Sequence, residues 1–580
     1  MLRSRRGARL RPLIVLLLVV GTALLFLVRL VDVQVVHADA LRAESKDRRS
    51  QERVVPGARG DIVDAHGVRL ATSVPRYTVS ASPRLAAAAG AVPAAAGRIA
   101  KALGLPATRV TAALSRDRTS DYALVAKSVP LSALEAVKAL GIGWLYYDEV
   151  PKRVYPNGAV GGNLIGFVGA QGQPQAGLEY GENSCLAGSD GVTAYESALD
   201  GTPIPGTAVT RTPATQGGTL ALTIDRDLQW FVQQTLATRA EQTGAKWGSV
   251  VVEEVKTGKL LAVADWPTVD PNDVNATAAT DTGALGSRAF TAPFEPGSTM
   301  KTLTAATLLD QKAASPGSHV VAPYRLLAGG ANVNDSEYHG NERLTLTGVL
   351  VQSSNTGISK LGVRVSDATR YRYLKAFGLG TPTAVGFGAE ASGDLGADAP
   401  HWDPQSRLAT MFGQGLTTTA VQMASAYATV ANGGVRLPVQ LVSSCTAADG
   451  TVHRTPTASG TRVISAAAAK NTVRMLENVA TQGWLAAEVR INGYRVGIKT
   501  GTAQESDGHG SYAKGFLVSM AGVAPADDPR YVVYVDLDAP SKMNTSEATA
   551  PVFRQVMARV LQQNGVVPSG TRSPSLPTTW

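Results

Sequence analysis

The chain has 580 residues, which is too long for one ordinary domain and predicts two or three. Its composition is globular, with 44% hydrophobic and 17% charged residues and a formal net charge of +9. Five arginines precede an apolar run near the N-terminus, namely Arg3, Arg5, Arg6, Arg9 and Arg11. Because no nucleic-acid-binding signature accompanies them, the basic excess indicates membrane topology and excludes a nucleic-acid partner.

The first predicted element is a membrane-spanning helix. Leu13 to Val28 carries no charge, and its flanks extend the helix to 12–33, after a cytoplasmic tail over 1–11. Arginines on the N-terminal side predict that this end is cytoplasmic and that the remainder is extracytoplasmic. A cleaved signal peptide, cut at Ala38-Asp39-Ala40, is the alternative, but the apolar run is long for a signal. We therefore expect a retained, single-pass anchor.

A first domain outside the membrane is predicted over 34–218. The segment RGDIVDAHGVRLATS, from Arg59 to Ser73, suggests short strands and turns. The Ala-rich stretch from Leu85 to Leu105 predicts helix. The Pro/Gly/Thr-rich stretch from Gly201 to Gly218 indicates a hinge at the end of this domain.

A second domain is predicted over 219–564, followed by a disordered Pro/Ser/Thr-rich tail over 565–580. Two apolar strands flank a hairpin turn at Lys256–Lys259, and helical sequence follows from about 299 to 435. Three strands and a closing helix are predicted at the end: Tyr494–Ile498, Phe516–Met520, Tyr531–Asp538 and Val552–Leu561. This order of elements predicts an α+β fold with an antiparallel sheet.

The chain has two cysteines, Cys185 and Cys445. They fall in what look like different domains, so we expect them to remain unpaired. Two cysteines form no metal motif, and the seven histidines are scattered without an HExxH pair. The sequence therefore predicts neither a metal nor a cofactor.

The first chemical motif lies in FEPGSTMKTL. Ser298 and Lys301 are three residues apart where a Pro-Gly pair precedes a helix, so a hydroxyl and an amine share one helix face. Free N–H groups and the positive end of the helix dipole would stabilise an alkoxide or an oxyanion at Ser298. For such a pair alone, the commoner explanation is a serine N-cap beside a solvated lysine.

The second motif is QSSNTG, at a break between two helical stretches. Ser353 and Asn355 are its candidate functional residues. Considered alone, the pair is better explained as a Ser/Asn cap of the helix that follows.

The third motif is KTGT, on a predicted strand. Alternation places Lys499 and Gly501 on one side of the strand and Thr500 and Thr502 on the other, where the threonines could contact a carboxylate. The glycine would let a substrate backbone lie against the strand. An earlier copy of the triplet, Lys256–Gly258, is interpreted as a plain hairpin turn.

The three motifs, in this order, form the signature of penicillin-recognising enzymes. The chain resembles the class B penicillin-binding proteins, and most of all the division-type (FtsI-like) transpeptidases, over nearly its whole length. The matching segments are 59–71, GLEYGENSCLAGSDG (177–191), EPGSTMK (295–301), QSSNTG (352–357), FGLG (377–380), 412–434, KTGTAQ (499–504) and AGVAPADDPRYVV (521–533). Ala65-His66 and Ser287-Arg288 depart from the usual residues of the family.

The resemblance implies a transpeptidase domain of the penicillin-binding-protein/β-lactamase-like fold on an N-terminal, dimerisation-type pedestal. Ser298 would attack the penultimate D-Ala carbonyl of a peptidoglycan stem peptide and form an acyl-enzyme, which an amine then resolves. Lys301 would be the base, with its pKa lowered by burial and by Lys499. Ser353 would relay a proton to the leaving group. Asn355 would hold the stem peptide and orient Lys301.

The resemblance also implies how the substrate is bound. Lys499, Thr500 and Thr502 would bind its terminal carboxylate, with Gly501 on the same strand. Backbone N–H groups of Ser298 and Thr502 would form the oxyanion hole. A β-lactam would mimic D-Ala-D-Ala and acylate the serine.

The expected partners are stem peptides, lipid-linked nascent glycan and divisome membrane proteins, including a separate glycosyltransferase, at the bacterial cell membrane. Alternatives of the same class are an elongation- or sporulation-type transpeptidase and a D,D-carboxypeptidase. A β-lactamase is disfavoured by the anchor and pedestal, and a bifunctional synthase by the absence of a glycosyltransferase motif. A non-catalytic scaffold or β-lactam sensor is the alternative of a different class.

Overall fold

The structure is a computed structural model that describes residues 7–90, 92–197, 204, 206–383, 385–396, 401–455, 459–506 and 512–580. Its helices are α1 (Gly7–Val31), α2 (Ala38–Arg49), α3 (Pro83–Ala88), α4 (Val92–Leu103), α5 (Ala107–Ser115), α6 (Leu131–Lys138), α7 (Gly162–Ile165), α8 (Gly177–Gly181), α9 (Asn183–Leu186), α10 (Arg226–Thr243), α11 (Val274–Ala278), α12 (Arg288–Thr291), α13 (Lys301–Asp310), α14 (Leu346–Val351), α15 (Asn355–Gly362), α16 (Asp367–Ala376), α17 (Pro404–Ala409), α18 (Ala420–Ala431), α19 (Ala466–Gln482) and α20 (Ala550–Gln563).

The strands are β1 (Ser50–Val55), β2 (Ile62–Val63), β3 (Arg69–Val74), β4 (Tyr77–Ala81), β5 (Ala123–Val129), β6 (Leu145–Glu149), β7 (Lys152–Val154), β8 (Gly191–Glu196), β9 (Val209–Thr212), β10 (Thr219–Leu222), β11 (Trp247–Glu254), β12 (Leu260–Trp266), β13 (His319–Ala322), β14 (Arg325–Ala328), β15 (Ala331–Asn334), β16 (Glu342–Thr345), β17 (Val435–Arg436), β18 (Val442–Thr446), β19 (Val452–Arg454), β20 (Thr461–Arg462), β21 (Gly497–Ser506), β22 (Tyr512–Ala524) and β23 (Tyr531–Asp538).

The chain folds into two compact units, and the first comprises Met1–Ala58, Pro75–Pro151 and Gly188–Gln216. It has two three-stranded sheets, in the orders β1-β8-β9 and β5-β4-β6. Alanine-rich α4 supplies small side chains that pack closely, and its Ile99 is fully buried in the apolar cluster beneath β4. This unit also contains α1. Within the described residues, one helical stretch, Pro12–Val36, is long and apolar enough to cross a membrane.

The second unit comprises Arg59–Val74, Lys152–Ala187 and Gly217–Trp580. Its central sheet has five antiparallel strands in the order β12-β11-β23-β22-β21, so β21 is an edge strand. A second sheet has the order β19-β18-β10-β2-β3-β7. Strands β11, β12 and β23 are buried along almost their whole length because α10, α18 and α20 pack against the central sheet. The α+β fold and antiparallel sheet that the sequence predicts are confirmed.

The border between the two units differs from the predicted division at residue 218. Segments 59–74 and 152–187 belong to the same compact unit as the central sheet, although the sequence predicts them in the first domain. Of the predicted hinge over 201–218, residues 201–203 and 205 lie outside the described residues, and β9 is a strand of the first unit.

The two cysteines form a disulfide, contrary to the expectation from sequence. Cys185 and Cys445 are joined with a Cα–Cα distance of 6.0 Å across 260 residues of sequence. Both belong to the second unit, in α9 and β18. The prediction of free thiols was wrong because it assigned domains by continuous sequence, whereas the chain enters this unit three times.

The C-terminal segment is ordered against the second unit, which corrects the prediction of a disordered tail. Thr345 donates its N–H to Thr578 O at 3.0 Å and its hydroxyl to Pro577 O at 2.6 Å. The Trp580 ring stacks on His319 at 4.5 Å between centroids, and the Arg343 guanidinium lies 4.0 Å from its centroid. These contacts lie more than 200 residues away in sequence, so composition alone does not reveal them.

Candidate active site

Ser298 lies in a 3-10 turn, Gly297–Met300, that continues directly into α13. Its hydroxyl caps no helix; instead it accepts a hydrogen bond from Lys301 Nζ at 2.8 Å. Gly297 has φ +55°, and a Cβ there would lie 3.0 Å from Thr502 O. Glycine at this position therefore permits both the left-handed backbone and the close approach of β21 to the serine turn.

Lys301 is fully buried and points its amine at two serines. Besides Ser298, Nζ donates to the main-chain carbonyl of Ser353 and to Ser353 Oγ, the latter at 3.2 Å. Burial holds the pKa of Lys301 well below its usual value, and the charge of Lys499 lowers it further, while Asp335 acts in the opposite direction. A neutral amine able to take a proton is therefore accessible at Ser298.

Two adjacent serines in the loop between α14 and α15, Ser353 and Ser354, have different roles. Ser354 caps α15 by accepting from Gly357 N at 2.9 Å, which is the cap role that the sequence left open for this motif. Ser353 is thereby free of capping and has a left-handed backbone, with φ +59°. A non-glycine residue in this region is strained, and such strain concentrates at functional sites.

Asn355 is placed differently from the expectation. Its side-chain amide donates to Asn334 O at 2.9 Å, and its N–H donates to the Asp335 carboxylate. Among the described residues it forms no hydrogen bond with Lys301, which the Ser353 carbonyl orients instead.

Asp335 belongs to the site although no sequence motif indicates it. Its carboxylate accepts from Ser354 Oγ at 2.7 Å and from Thr356 N at 3.0 Å, and so it fixes the whole loop. It follows β15, about twenty residues before the motif. No local spacing links the two segments, so the sequence offers no signal for this contact.

Lys499, on strand β21 of the central sheet, is the second lysine that contacts Ser353. It is fully buried on β21, and its Nζ donates to Ser353 Oγ at 3.0 Å and to Thr500 O at 3.1 Å. Burial lowers its pKa to about 7. The predicted alternation is present, since Thr500 is half-buried and Thr502 is exposed on the other side of the strand.

Gly501 lies where the side chain of any other residue would have no room. A Cβ there would lie 2.3 Å from Ser519 Oγ and 3.0 Å from Pro296 O. Glycine therefore allows β21 to pack closely against β22 and against the turn before Ser298, and the expected approach of a substrate backbone stays a prediction. Ser546, which the sequence did not indicate, donates its hydroxyl to Gly501 O at 2.7 Å and lies 3.2 Å from Thr502 Oγ1.

These contacts form one hydrogen-bonded chain from Ser298 through Lys301 and Ser353 to Lys499. Such a chain can take a proton from the first serine and return it through the second. The amines of Lys301 and Lys499 are both buried and both contact Ser353 Oγ, so a positive charge on both at once is disfavoured. One of the two amines therefore stays neutral and available as a base. In the described part of the chain, no group of three or more His, Cys, Asp or Glu side chains could hold a metal ion.

A serine activated by a buried lysine, on an α+β unit with an edge strand beside it, defines a serine acyltransferase site. The family described as "Penicillin binding protein transpeptidase domain" matches residues 248–558. The family described as "Penicillin-binding Protein dimerisation domain" matches residues 54–222. The chain therefore belongs to the penicillin-binding protein transpeptidase family, as its motifs predict.

Relatives of this family align over most of the chain. The penicillin-binding protein PbpB of Mycolicibacterium smegmatis is 34% identical, over 95% of this chain and 89% of that protein. The peptidoglycan D,D-transpeptidase FtsI of Escherichia coli is 32% identical, over 94% of this chain and 90% of that protein. The structure of penicillin-binding protein 3 from Mycobacterium tuberculosis, complexed with aztreonam, has a TM-score of 0.71 at 28% identity and covers 91% of this chain and 100% of that one. The predicted resemblance is confirmed.

Proposed function

We propose that this protein is a peptidoglycan D,D-transpeptidase of septal cell-wall synthesis and that Ser298 forms its acyl-enzyme. The observation that carries the proposal is the 2.8 Å hydrogen bond between Ser298 Oγ and a fully buried Lys301. The same serine would be acylated by β-lactams, which are ligands of the M. tuberculosis relative.

The first half-reaction transfers the acyl group to the enzyme. Neutral Lys301 takes the proton of Ser298 Oγ as the oxygen bonds to the carbonyl carbon of the penultimate D-Ala. The tetrahedral intermediate collapses when the C–N bond breaks, and Ser353 passes a proton to the departing D-Ala amine. The proton that Lys301 has gained returns through its contact with Ser353 Oγ.

The second half-reaction runs the same steps in reverse with a new amine. The amino group of a neighbouring stem peptide attacks the ester and loses a proton through Ser353 and Lys301. Ser298 Oγ is reprotonated when the ester bond breaks, which leaves the cross-link and free enzyme.

Strand β21 supplies the binding contacts for the donor peptide. Lys499, with Thr500 and Thr502 on the open side of the strand, would hold the terminal carboxylate. The N–H groups of Ser298 and Thr502 would form the oxyanion hole, where each donor contributes about 3 kcal/mol to transition-state stabilisation. Asn355, half-buried beside Ser353, would contact the stem peptide.

We propose a retained anchor over 12–33 with a cytoplasmic N-terminus and an extracytoplasmic catalytic unit. The apolar stretch Pro12–Val36 and the arginines before it support this orientation. The proposed partners are divisome membrane proteins, including a separate glycosyltransferase that supplies nascent glycan. The similarity to FtsI over 94% of the chain supports the septal role.

The test is a peptide assay with the full chain in detergent. A pentapeptide donor ending in D-Ala-D-Ala is incubated with an amine acceptor, and products are separated by mass spectrometry. We expect release of D-Ala and an acceptor-linked product, both absent for Ser298→Ala. A hydrolysed tetrapeptide alone would indicate a carboxypeptidase, and no release of D-Ala would favour a scaffold. In cells depleted of the protein, Ser298→Ala should fail to restore septum formation; normal septa in these cells would contradict the septal role.

A further inference from the structure

A cavity of about 600 Å³ lies in the second unit at one end of the central sheet. The turn between β11 and β12 and the turn between β22 and β23 border it, together with α19 and the C-terminal segment. Five cationic side chains line it: Lys256, Lys470, Arg474, Arg495 and Arg572. They come from four separate parts of the chain, and the fold brings these positive charges together.

Two carboxylates also line the cavity, and both are already engaged. Glu477 is paired with Arg495 through two hydrogen bonds of 2.7 Å. Asp527 accepts from Ser569 Oγ at 2.6 Å. Five cations and two carboxylates leave a net charge of +3 in the lining. Among the described residues, the other four cations have no ion-pair partner.

The unpaired cations repel one another. Lys470 and Arg474 lie four residues apart on α19, where like charges destabilise a helix by a few tenths of a kcal/mol. Arg474 is half-buried, so its charge is less screened than one in open solvent. None of these residues contacts Ser298, Lys301 or Ser353. The proposed acyl-transfer reaction therefore does not account for the positive charge of this cavity.

Apolar side chains form the remaining wall, including Val430, Ala431, Val473, Ala526 and Pro529. A cavity of this size with an apolar wall and a few convergent charged groups has the usual character of a small-molecule site. The apolar wall would accept a carbon skeleton, and the cations would hold charges attached to it.

We propose that this cavity binds a compact polyanion, a group with at least two adjacent negative charges such as a diphosphate or a cluster of carboxylates. Arg474 and Arg572 can each form paired hydrogen bonds to such oxygens, while Lys256 and Lys470 add point charges. Lys256 belongs to the first Lys-Thr-Gly copy, which therefore has a binding role separate from the chemistry of the second. The proposal is independent of the acyl-transfer mechanism.

The test is calorimetric titration of the full chain in detergent. One titration uses inorganic pyrophosphate and the other a tetra-aspartate peptide. The probe that binds more tightly shows whether the cavity prefers phosphate or carboxylate groups. Lys470→Gln/Arg474→Gln should weaken binding of that probe at least 10-fold. The control, Arg554→Gln/Arg559→Gln, removes two charges from α20 and should bind like wild type. Lys256→Gln should weaken binding several-fold.

Two further readouts keep the result interpretable. β-Lactam labelling should be equal in all four proteins, which shows that the second unit remains folded. Binding should weaken as salt rises, because the contacts are ionic. Absence of binding in both arms would overturn the proposal, as would equal binding by the α19 and α20 double variants.

Discussion

The two copies of Lys-Thr-Gly have the same sequence but opposite environments. Lys256–Gly258 forms the turn between β11 and β12, where the lysine is exposed and the threonine hydroxyl bonds to Glu254. Lys499–Gly501 lies within β21, where the lysine is fully buried and reaches Ser353 Oγ, 146 residues away in sequence. Only the second lysine is desolvated, and its pKa falls to about 7.

This comparison shows that the chemical properties of the lysine in the triplet depend on its surroundings. A solvated lysine is a permanent cation at neutral pH, whereas a buried lysine beside a hydroxyl can exchange its proton. The difference arises from an edge strand that lies against the serine turn.

The largest expected effect comes from removing each lysine in turn. Lys499→Ala should slow β-lactam acylation by roughly 100- to 1000-fold, because it removes the contact with Ser353 Oγ and the charge-assisted contact to the ligand carboxylate that we propose. Lys256→Ala should change the rate by less than about twofold, since it lies outside the catalytic contacts. Stopped-flow acylation with a chromogenic cephalosporin measures both. Similar rates for the two variants would remove the distinction between the copies.

The pH dependence of acylation sharpens the same comparison. Lys301 must be neutral to accept a proton, so the rate should rise with pH until this lysine has lost its proton, at a pKa well below that of a free lysine. In the proposed mechanism Lys499 must be charged to hold a carboxylate, and with a pKa of about 7 its loss of a proton should weaken binding by roughly 50-fold from pH 7 to pH 9.

Lys499→Arg provides the control for this profile. A guanidinium stays charged at alkaline pH, so the decline at high pH should disappear even if the maximal rate is lower. If the acylation rate of this variant still declines at high pH, a group other than Lys499 causes the decline.

Removing the disulfide, which lies apart from both Lys-Thr-Gly copies, should lower the stability of the protein and leave the acylation rate unchanged. Replacing Cys185 and Cys445 by serine removes a link across 260 residues, which should lower the free energy of unfolding by about 2–4 kcal/mol. Thermal unfolding with and without reductant measures the effect in wild type, and the double variant should not respond to reductant. An unchanged melting temperature would show that the bond adds no stability.

The smallest expected effect concerns the pH dependence of stability. Asp536 is buried on β23, and burial raises its pKa to about 7, with Asp265 adding to the effect. The native state then binds a proton that the unfolded chain releases near pH 4, so stability falls as pH rises through this interval. Asp536→Asn should reduce the fall in melting temperature between pH 5 and pH 8. Exposed Asp528→Asn is the control and should follow wild type.

Local patterns predicted much of the fold and part of the site. The hairpin of β11 and β12, strand β23 and the Ser298–Lys301 contact each depend on residues a few positions apart. Alternation along β21 was also predicted, because a strand has a period of two.

The contacts that sequence did not predict join distant segments. Asp335 holds the Ser353 loop, and Ser546 holds β21, through hydrogen bonds that span 19 to 45 residues. The disulfide and the C-terminal segment are longer-range examples. The expected link from Asn355 to Lys301 failed for a related reason, since a main-chain carbonyl of Ser353 occupies that role.

Intact-protein mass spectrometry with peptide mapping tests the central assignment most directly. The full chain is incubated with a penicillin, digested, and compared with Ser298→Ala. We expect one adduct per chain, persistent over hours, on the peptide that contains Ser298, and none in the variant. An adduct on another residue, or equal labelling of Ser298→Ala, would show that Ser298 is not the nucleophile.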